Sequence, residues 1–511
     1  MIMLRRQILT ILSIITIATA SYAQSIVYSQ PDKDDQKSES FDIVGKIGGH
    51  YLIYKNLRSR SSVTVLDDRM QMVDKIILDF VPEKLIATDL LTYRDYFYFF
   101  YQYQKKNVVY CMVAKLNGDG KMVGEPKELD TTNVNYFANS RIYNVLNSED
   151  KQKIMIFKIN SKHNDNYILT TTLFTNDLQL TSKSAISIPM PAREDFLTEF
   201  SLDNEGGLVF LRPSGTSDND NITELTLITK APLADTLGYY DLGLSKLYLD
   251  DPKIKVDNIN KNYLVISFYS KQKRGNIDGL YALIWGKTAG RTLYNTNTTF
   301  SDEIREEAKS DGSLKFAFNN FFLQNILVKK DGGFAMAAEA VYSSNRGNNY
   351  NRWDYMYRSP YMSPSDYYYF SSPYYNSYYY PWGRWGSPGY QITRYYADNV
   401  AILSFDSTAT LIWTNVIHKS QYDDFTDNFI GYGNYNSGSK YHFLFNELER
   451  RSLLLSDQTV TPDGHLERSP TLHNLDKEYQ FMPRYAKQVS SRELIVPCQY
   501  RNFTCFAKIE F

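Results

Sequence analysis

The feature that most constrains this chain is a short hairpin pattern that recurs along nearly its whole length. An apolar run meets a turn of Asp, Asn, Gly or Lys, and a second, weaker strand follows. It occurs at Thr64–Val73, Ala114–Val123, Leu173–Leu180, Leu227–Leu233, Leu283–Gly290, Ile402–Leu411 and Leu453–Val460. Most instances lie about 50 to 58 residues apart, an interval typical of repeated supersecondary units. Ahead of each lies another hairpin, with turns at Gly48-Gly49, Arg94-Asp95, Glu149-Asp150, Asn204–Gly207, Asn260-Lys261, Asp331–Gly333 and Ser437–Ser439, and an eighth stands at Ser490-Ser491. Two hairpins per unit make four short antiparallel strands, lettered A to D from the innermost outwards. Four-stranded units at this period predict an all-β fold, a single β-propeller.

The chain of 511 residues allows about 53 residues per blade for eight blades, once a leader, a linker and one insertion are set aside, whereas seven would need about 61. Eight is the expected number and seven the second choice. The last unit has strands near 481–488, 492–499 and 502–510, and the chain then ends without a D strand. Ser25–Gln30 alternates apolar and polar residues and is expected to supply that strand, closing the ring. Ser301, followed by Asp302 and Glu303, carries the cap and acidic first turn of one short helix between blades. The alternative to a propeller is a pair of packed β-domains with unrelated hairpins.

At the N-terminus Arg5 and Arg6 precede an apolar run to Ala18, and Ser21-Tyr22-Ala23 supplies small residues where a signal peptidase cuts. A signal peptide over 1–23, with cleavage before Gln24, is expected. The run is shorter than the roughly 20 residues that span hydrocarbon, and the mature chain shows no transmembrane stretch. Export points to the periplasm or the periplasmic side of an outer membrane, with secretion as the alternative. Lys and Arg number 56 against 57 Asp and Glu. This balance gives no field for nucleic acid, so no nucleic-acid partner is expected.

The sixth unit departs from the pattern between strands B and C, where residues 343–393 form a Tyr/Pro-rich aromatic insertion loop. From Tyr350 to Tyr396 the chain holds 15 of its 43 Tyr and 3 of its 5 Trp. Pro360, Pro364, Pro373, Pro381 and Pro388 interrupt the segment, which excludes a long helix or a central strand. Lengthening a loop from about 6 to 50 residues costs only about 2 kcal/mol of closure entropy. Tyr and Trp offer large apolar faces with a polar tip and few torsions to freeze, which suits protein recognition and stacking on sugars alike. The candidate partner-binding residues are Trp353, Tyr367, Tyr368, Tyr374, Tyr378, Trp382, Arg384 and Trp385. The alternative is that these rings pack on the propeller's own surface. The insertion and the 300–320 connection are expected to emerge side by side on the disc face that carries the B-to-C and D-to-A connections.

No catalytic, cofactor-binding or metal residues are assigned. No pair among His50, His163, His418, His442, His465 and His473 has metal-site spacing. The Gly pairs lie in hairpin turns and do not open phosphate-binding helices. Asn117–Lys121 and Asp218–Asn221 lack the bidentate Glu that completes a calcium loop. If the last hairpin turns at Arg501-Asn502, Cys498 and Cys505 face one another and form a disulfide candidate in an oxidising compartment. Cys111 is expected in the core.

The stretch Ile402–Trp413, with Asp406 at the turn and Trp413 in the next strand, resembles a repeat of the pyrroloquinoline-quinone-like eight-bladed propellers. The resemblance covers one repeat of eight and implies architecture. The quinone dehydrogenases of that class use adjacent cysteines and an acidic calcium site. The sequence lacks both, so no cofactor is carried over. The chain is more similar to non-catalytic members such as lipoprotein scaffolds of outer-membrane assembly. Its Tyr- and Asn-rich composition is also similar to secreted Bacteroidota proteins. These readings lead to an expectation of a non-catalytic exported scaffold that binds another cell-envelope protein through its loop face and aromatic insertion. The alternative is a secreted glycan-binding or carbohydrate-active protein.

Overall fold

A computed structural model describes residues 25–31, 40–57, 60–135, 137–138, 140–161, 166–190, 195–214, 221–310, 312–345, 348–349, 393–424, 426–449, 452–468 and 479–511. The strands form eight antiparallel sheets, each built on a path of four that follow one another in sequence, except in the last. Blades 1 to 7 span residues 40–77, 87–133, 144–189, 198–241, 248–299, 321–417 and 432–468. Blade 8 takes strands A to C from residues 479–510 and its D strand from Ser25–Tyr28. The fold is an eight-bladed β-propeller, as the repeat count predicts.

The closure is also the expected one. Ser25 pairs with Glu510 and Tyr28 with Ala507, and the Phe506 amide donates to Ser29 Oγ at 2.9 Å. Tyr28 stacks on Tyr479 with ring centroids 4.3 Å apart. The first and last strands of the ring therefore share one sheet, and Ser25–Tyr28 covers the outer side of Phe503–Glu510.

The turns explain why the repeat is legible. In four of them an Asp or Asn at the first turn position uses its side-chain oxygen to accept the amides two and four residues on, so the turn is fixed by local chemistry. Asp67 serves Arg69 and Gln71, and Asn117 serves Asp119 and Lys121. Asp203 serves Glu205 and Gly207, and Asp406 serves Thr408 and Thr410. The calcium-like segment at Asn117 thus spends its amide oxygen on its own hairpin. One turn lies elsewhere than expected. Leu453–Val460 contains no turn at Ser456-Asp457; Ser452–Val460 is one continuous C strand, and the hairpin lies at Thr461–His465. Asp457 is fully buried and meets His442 Nδ1 at 3.0 Å, so an acid that resembles a turn signal is a core partner.

The core consists of apolar layers between neighbouring blades. Alternate residues of each B strand face opposite neighbours because the side-chain period of a strand is two. Phe97 and Phe99 of blade 2 pack with Leu52 and Tyr54 of blade 1, whereas Tyr98 and Phe100 pack with Ile154 and Ile156 of blade 3. The predicted helix forms at Asp302–Ala308 with Ser301 as its cap. Among the described residues no helix is long and apolar enough to cross a membrane.

Cys498 and Cys505 are cross-strand partners, both fully buried, and the register is the one the sequence implied. The bridge is not formed in this structure, where both are thiols. Burial pushes the Cys498 thiol well above its ordinary pKa, and a protonated thiol is a poor nucleophile for disulfide formation. Cys111 lies in the core between blades 2 and 3.

Candidate functional site

The eight aromatic and Arg residues singled out within the insertion, from Trp353 to Trp385, lie outside the described residues. The stem that carries them is described. Strand B of blade 6 (Phe334–Asn345) and strand C (Thr393–Phe405) are the two longest strands among the described residues. Their outer ends remain paired from Val341–Ala397 to Asn345–Thr393. Tyr342 and Tyr396 stack across this stem at 4.5 Å, nearly parallel, and Tyr342 Oη donates to Asp398 Oδ2 at 2.8 Å. A further short strand, Gln421–Asp423, pairs with Tyr395–Ala397. Arg394 forms a forked pair with Asp424 at 2.5 and 3.2 Å, and its guanidinium lies 4.6 Å from the Tyr422 ring centre.

The 300–320 connection lies beside this stem, as expected. Val341 donates its amide to Asn320 O at 2.9 Å, and Asn399 Nδ2 donates to Ala308 O at 3.2 Å. Both connections leave on the face opposite the A–B and C–D hairpins.

Below the stem is a buried charge network that sequence reasoning missed. Lys419 Nζ lies 2.8 Å from Glu339 Oε1, and both side chains are only 2% exposed. The ammonium also donates to Ala397 O and Gln421 Oε1, each at 2.8 Å. Gln421 in turn donates to Asn446 O and accepts the Gly431 amide. Arg484, from blade 8, lies 3.6 Å from Glu339 and 3.5 Å from Asp427. Blades 6 and 8 therefore meet on Glu339, and Gln421 ties the network to blade 7 through Asn446. Burial lowers the Lys419 pKa, and Glu339 opposes that shift. Gly431 has φ +86°, and a Cβ there would stand 2.5 Å from the Arg484 guanidinium. Only glycine permits both the turn and that approach.

Near the propeller axis, innermost strands are joined in pairs by ions from neighbouring blades. Arg141 reaches Asp89 at 2.6 Å, Lys253 reaches Glu199 at 3.2 Å, and Lys487 donates to Ile43 O at 2.6 Å beside Asp42. Burial raises the Asp89 carboxyl to about 6 despite Arg141. Glu199, 4% exposed and held at φ +58°, is pushed up to about 7 by burial and by the nearby Asp251, against the pull of Lys253. A non-glycine residue in the left-handed region is strained, and a surrounding structure has to hold it there. The sequence signal was a carboxylate at the second or third position of an innermost strand, as in Asp42, Asp89 and Glu199. The matching bases lie in other blades.

Glu199 gives a pH prediction. Its folded pKa lies above the ordinary 4.5, so the folded state holds the proton more tightly. Its stabilising contribution is full below about pH 4.5 and is lost as pH rises through about 7. Glu199→Gln should remove this part of the pH dependence. Urea unfolding at pH 5 and pH 8 should show a smaller difference in the variant than in the parent, and an unchanged difference would assign the titration elsewhere.

Among the described residues no group of three or more His, Cys, Asp or Glu is placed to hold a metal ion. No family model matches the chain, and no curated protein matches it. Several solved structures are similar in shape. A prolyl endopeptidase aligns over 92% of this chain and 54% of its own at 10% identity and a TM-score of 0.35. Prolyl oligopeptidase B from Galerina marginata aligns over 92% and 56% at 7% identity and a TM-score of 0.39. The Synechocystis apocarotenoid oxygenase aligns over 73% and 72% at 10% identity and a TM-score of 0.34. The chain thus spans about half the length of the two peptidases it resembles. No activity is drawn from these likenesses.

Proposed function

We propose that this protein is an exported, non-catalytic propeller that binds another cell-envelope protein through the face carrying the aromatic insertion, in the periplasm or on the periplasmic side of an outer membrane. The observation that carries the proposal is the stem: two strands run beyond their blade as a paired ribbon, braced by the Tyr342–Tyr396 stack, the Arg394–Asp424 pair and the 300–320 connection. A ribbon fixed on both edges suits the presentation of a recognition segment, because a rigid base limits the ordering entropy lost on binding. The segment it delivers carries Tyr, Trp and Arg, the residue types that concentrate binding energy at interfaces.

Affinity purification from native membranes identifies the partner. Replacing Trp382, Arg384 and Trp385 together by Ala should weaken its binding by at least about 2 kcal/mol, roughly thirtyfold, with little change in melting temperature. A lowered melting temperature with the partner still bound would instead assign the rings to packing on the propeller. Retention on immobilised glycans, lost in the same variant, would favour the sugar-binding alternative.

A further inference from the structure

The layer between blades 6 and 7 is not filled as the other layers are. In blades 1 to 5 the B-strand positions that face the next blade carry bulk: Leu52 and Tyr54, Tyr98 and Phe100, Met155 and Phe157, Val209 and Leu211, Leu264 and Ile266. In blade 6 these positions are Ala335 and Ala337. Ala337 sits in the layer with Phe443 and Phe445 of blade 7, and Ala335 remains half-exposed. Close-packed interiors rarely tolerate such a deficit unless something fills it. A cavity of about 200 Å³ results, reaching to the A–B turns of both blades and the C–D turn of blade 7.

The walls and the mouth differ in chemistry. Leu327, Ile402, Tyr441, Phe443 and Val460 line the body. Trp413 forms the outer wall, held by its indole N–H donating to Pro462 O at 3.2 Å and by Gly464, where a Cβ would come within 2.7 Å of the ring. Lys329 stands at the mouth. Its ammonium donates to Ser404 Oγ at 2.6 Å and to Phe405 O at 3.2 Å, both neutral acceptors. Among the described residues no carboxylate lies within ion-pairing distance of it. Asp331 and Asp406, the acids that act on it through space, each accept amides of their own turns with a carboxylate oxygen. Lys440, the other base at the mouth, is already paired with Glu467.

We propose that this crevice binds a small amphipathic monocarboxylate, whose short acyl chain or single ring fills the space left by Ala335 and Ala337 and whose carboxylate pairs with Lys329. An apolar cleft with one convergent polar group is the usual form of a small-molecule site, and the volume sets the ligand's size near that of a fragment. A half-buried ammonium whose hydrogen-bond partners are all neutral, and which Asp331 and Asp406 reach only through space, gains from an anion brought into direct contact in the same low-dielectric setting. The site lies on the face opposite the insertion and is independent of partner recognition there.

Calorimetric titration with octanoate and with octanol tests the proposal. The parent should bind octanoate saturably and at least tenfold more tightly than octanol. Lys329→Met should reduce octanoate to the octanol level. Ala335→Leu should abolish binding of both, and Ala337→Val provides a smaller filling of the same space should the first variant fold poorly. The Trp382, Arg384 and Trp385 triple variant should bind octanoate as the parent does, which separates this site from the insertion. The proposal is overturned if octanoate shows no saturable binding, if octanol binds equally well to the parent, or if folded crevice-filling variants bind octanoate unchanged.

Discussion

Deletion of Ser25–Gln30 is expected to destabilise the protein by about 3 kcal/mol or more, because it removes a strand, part of an apolar layer and the closure of the ring at once. The strand contributes four paired positions, and Ile26, Val27 and Tyr28 pack into the layers on either side of blade 8. The seam also holds charges brought together only by closure. Lys46 lies 2.8 Å from Glu493, Tyr51 Oη donates to the same carboxylate at 2.6 Å, and Lys508 meets Asp68 at 2.9 Å. Burial alone would raise the Glu493 carboxyl, but Lys46 and Tyr51 hold it below its ordinary pKa. Without the D strand, Phe503–Glu510 becomes an open edge, so the truncated protein should also associate on heating. A truncated protein that melts within a degree of the parent would show that the ring is held without this strand.

Lys419→Met is expected to cost about 3 to 5 kcal/mol, the usual penalty for leaving one buried charge without its partner. Glu339 would then keep only Arg484, at 3.6 Å, and Gln421 would lose the ammonium that its amide oxygen accepts. Because replacing both members of a buried ion pair by apolar or neutral groups is often close to neutral, the Glu339→Gln, Lys419→Met double variant should recover much of the loss. Chemical denaturation of the two single variants and the double variant measures the coupling. Additive losses would show that the ions act separately. The pair lies under the insertion stem, so the single variant should also become more susceptible to proteolysis between Asn345 and Thr393 than the parent.

Sequence alone determined the number of blades, most of the hairpin turns, the closing strand and the capped helix. All of these rest on chemistry within a few residues: the two-residue period of strands, side-chain oxygens that satisfy turn amides, and Ser301 capping its helix. The same locality explains the error at Asp457, where an acid flanked by polar residues has the composition of a turn and only His442 on the neighbouring strand makes it a core residue. Tertiary structure decided which charges meet and where space is left. Glu339 meets Lys419 and Arg484 from other parts of the chain, and Glu199 meets Lys253 from the next blade. Ala335 and Ala337 read as ordinary small strand residues until a second sheet faces them and fails to fill the gap. Contacts between blades join residues about fifty or more positions apart. No local period encodes which of them will face each other, and the stacking of the sheets around the ring fixes that choice.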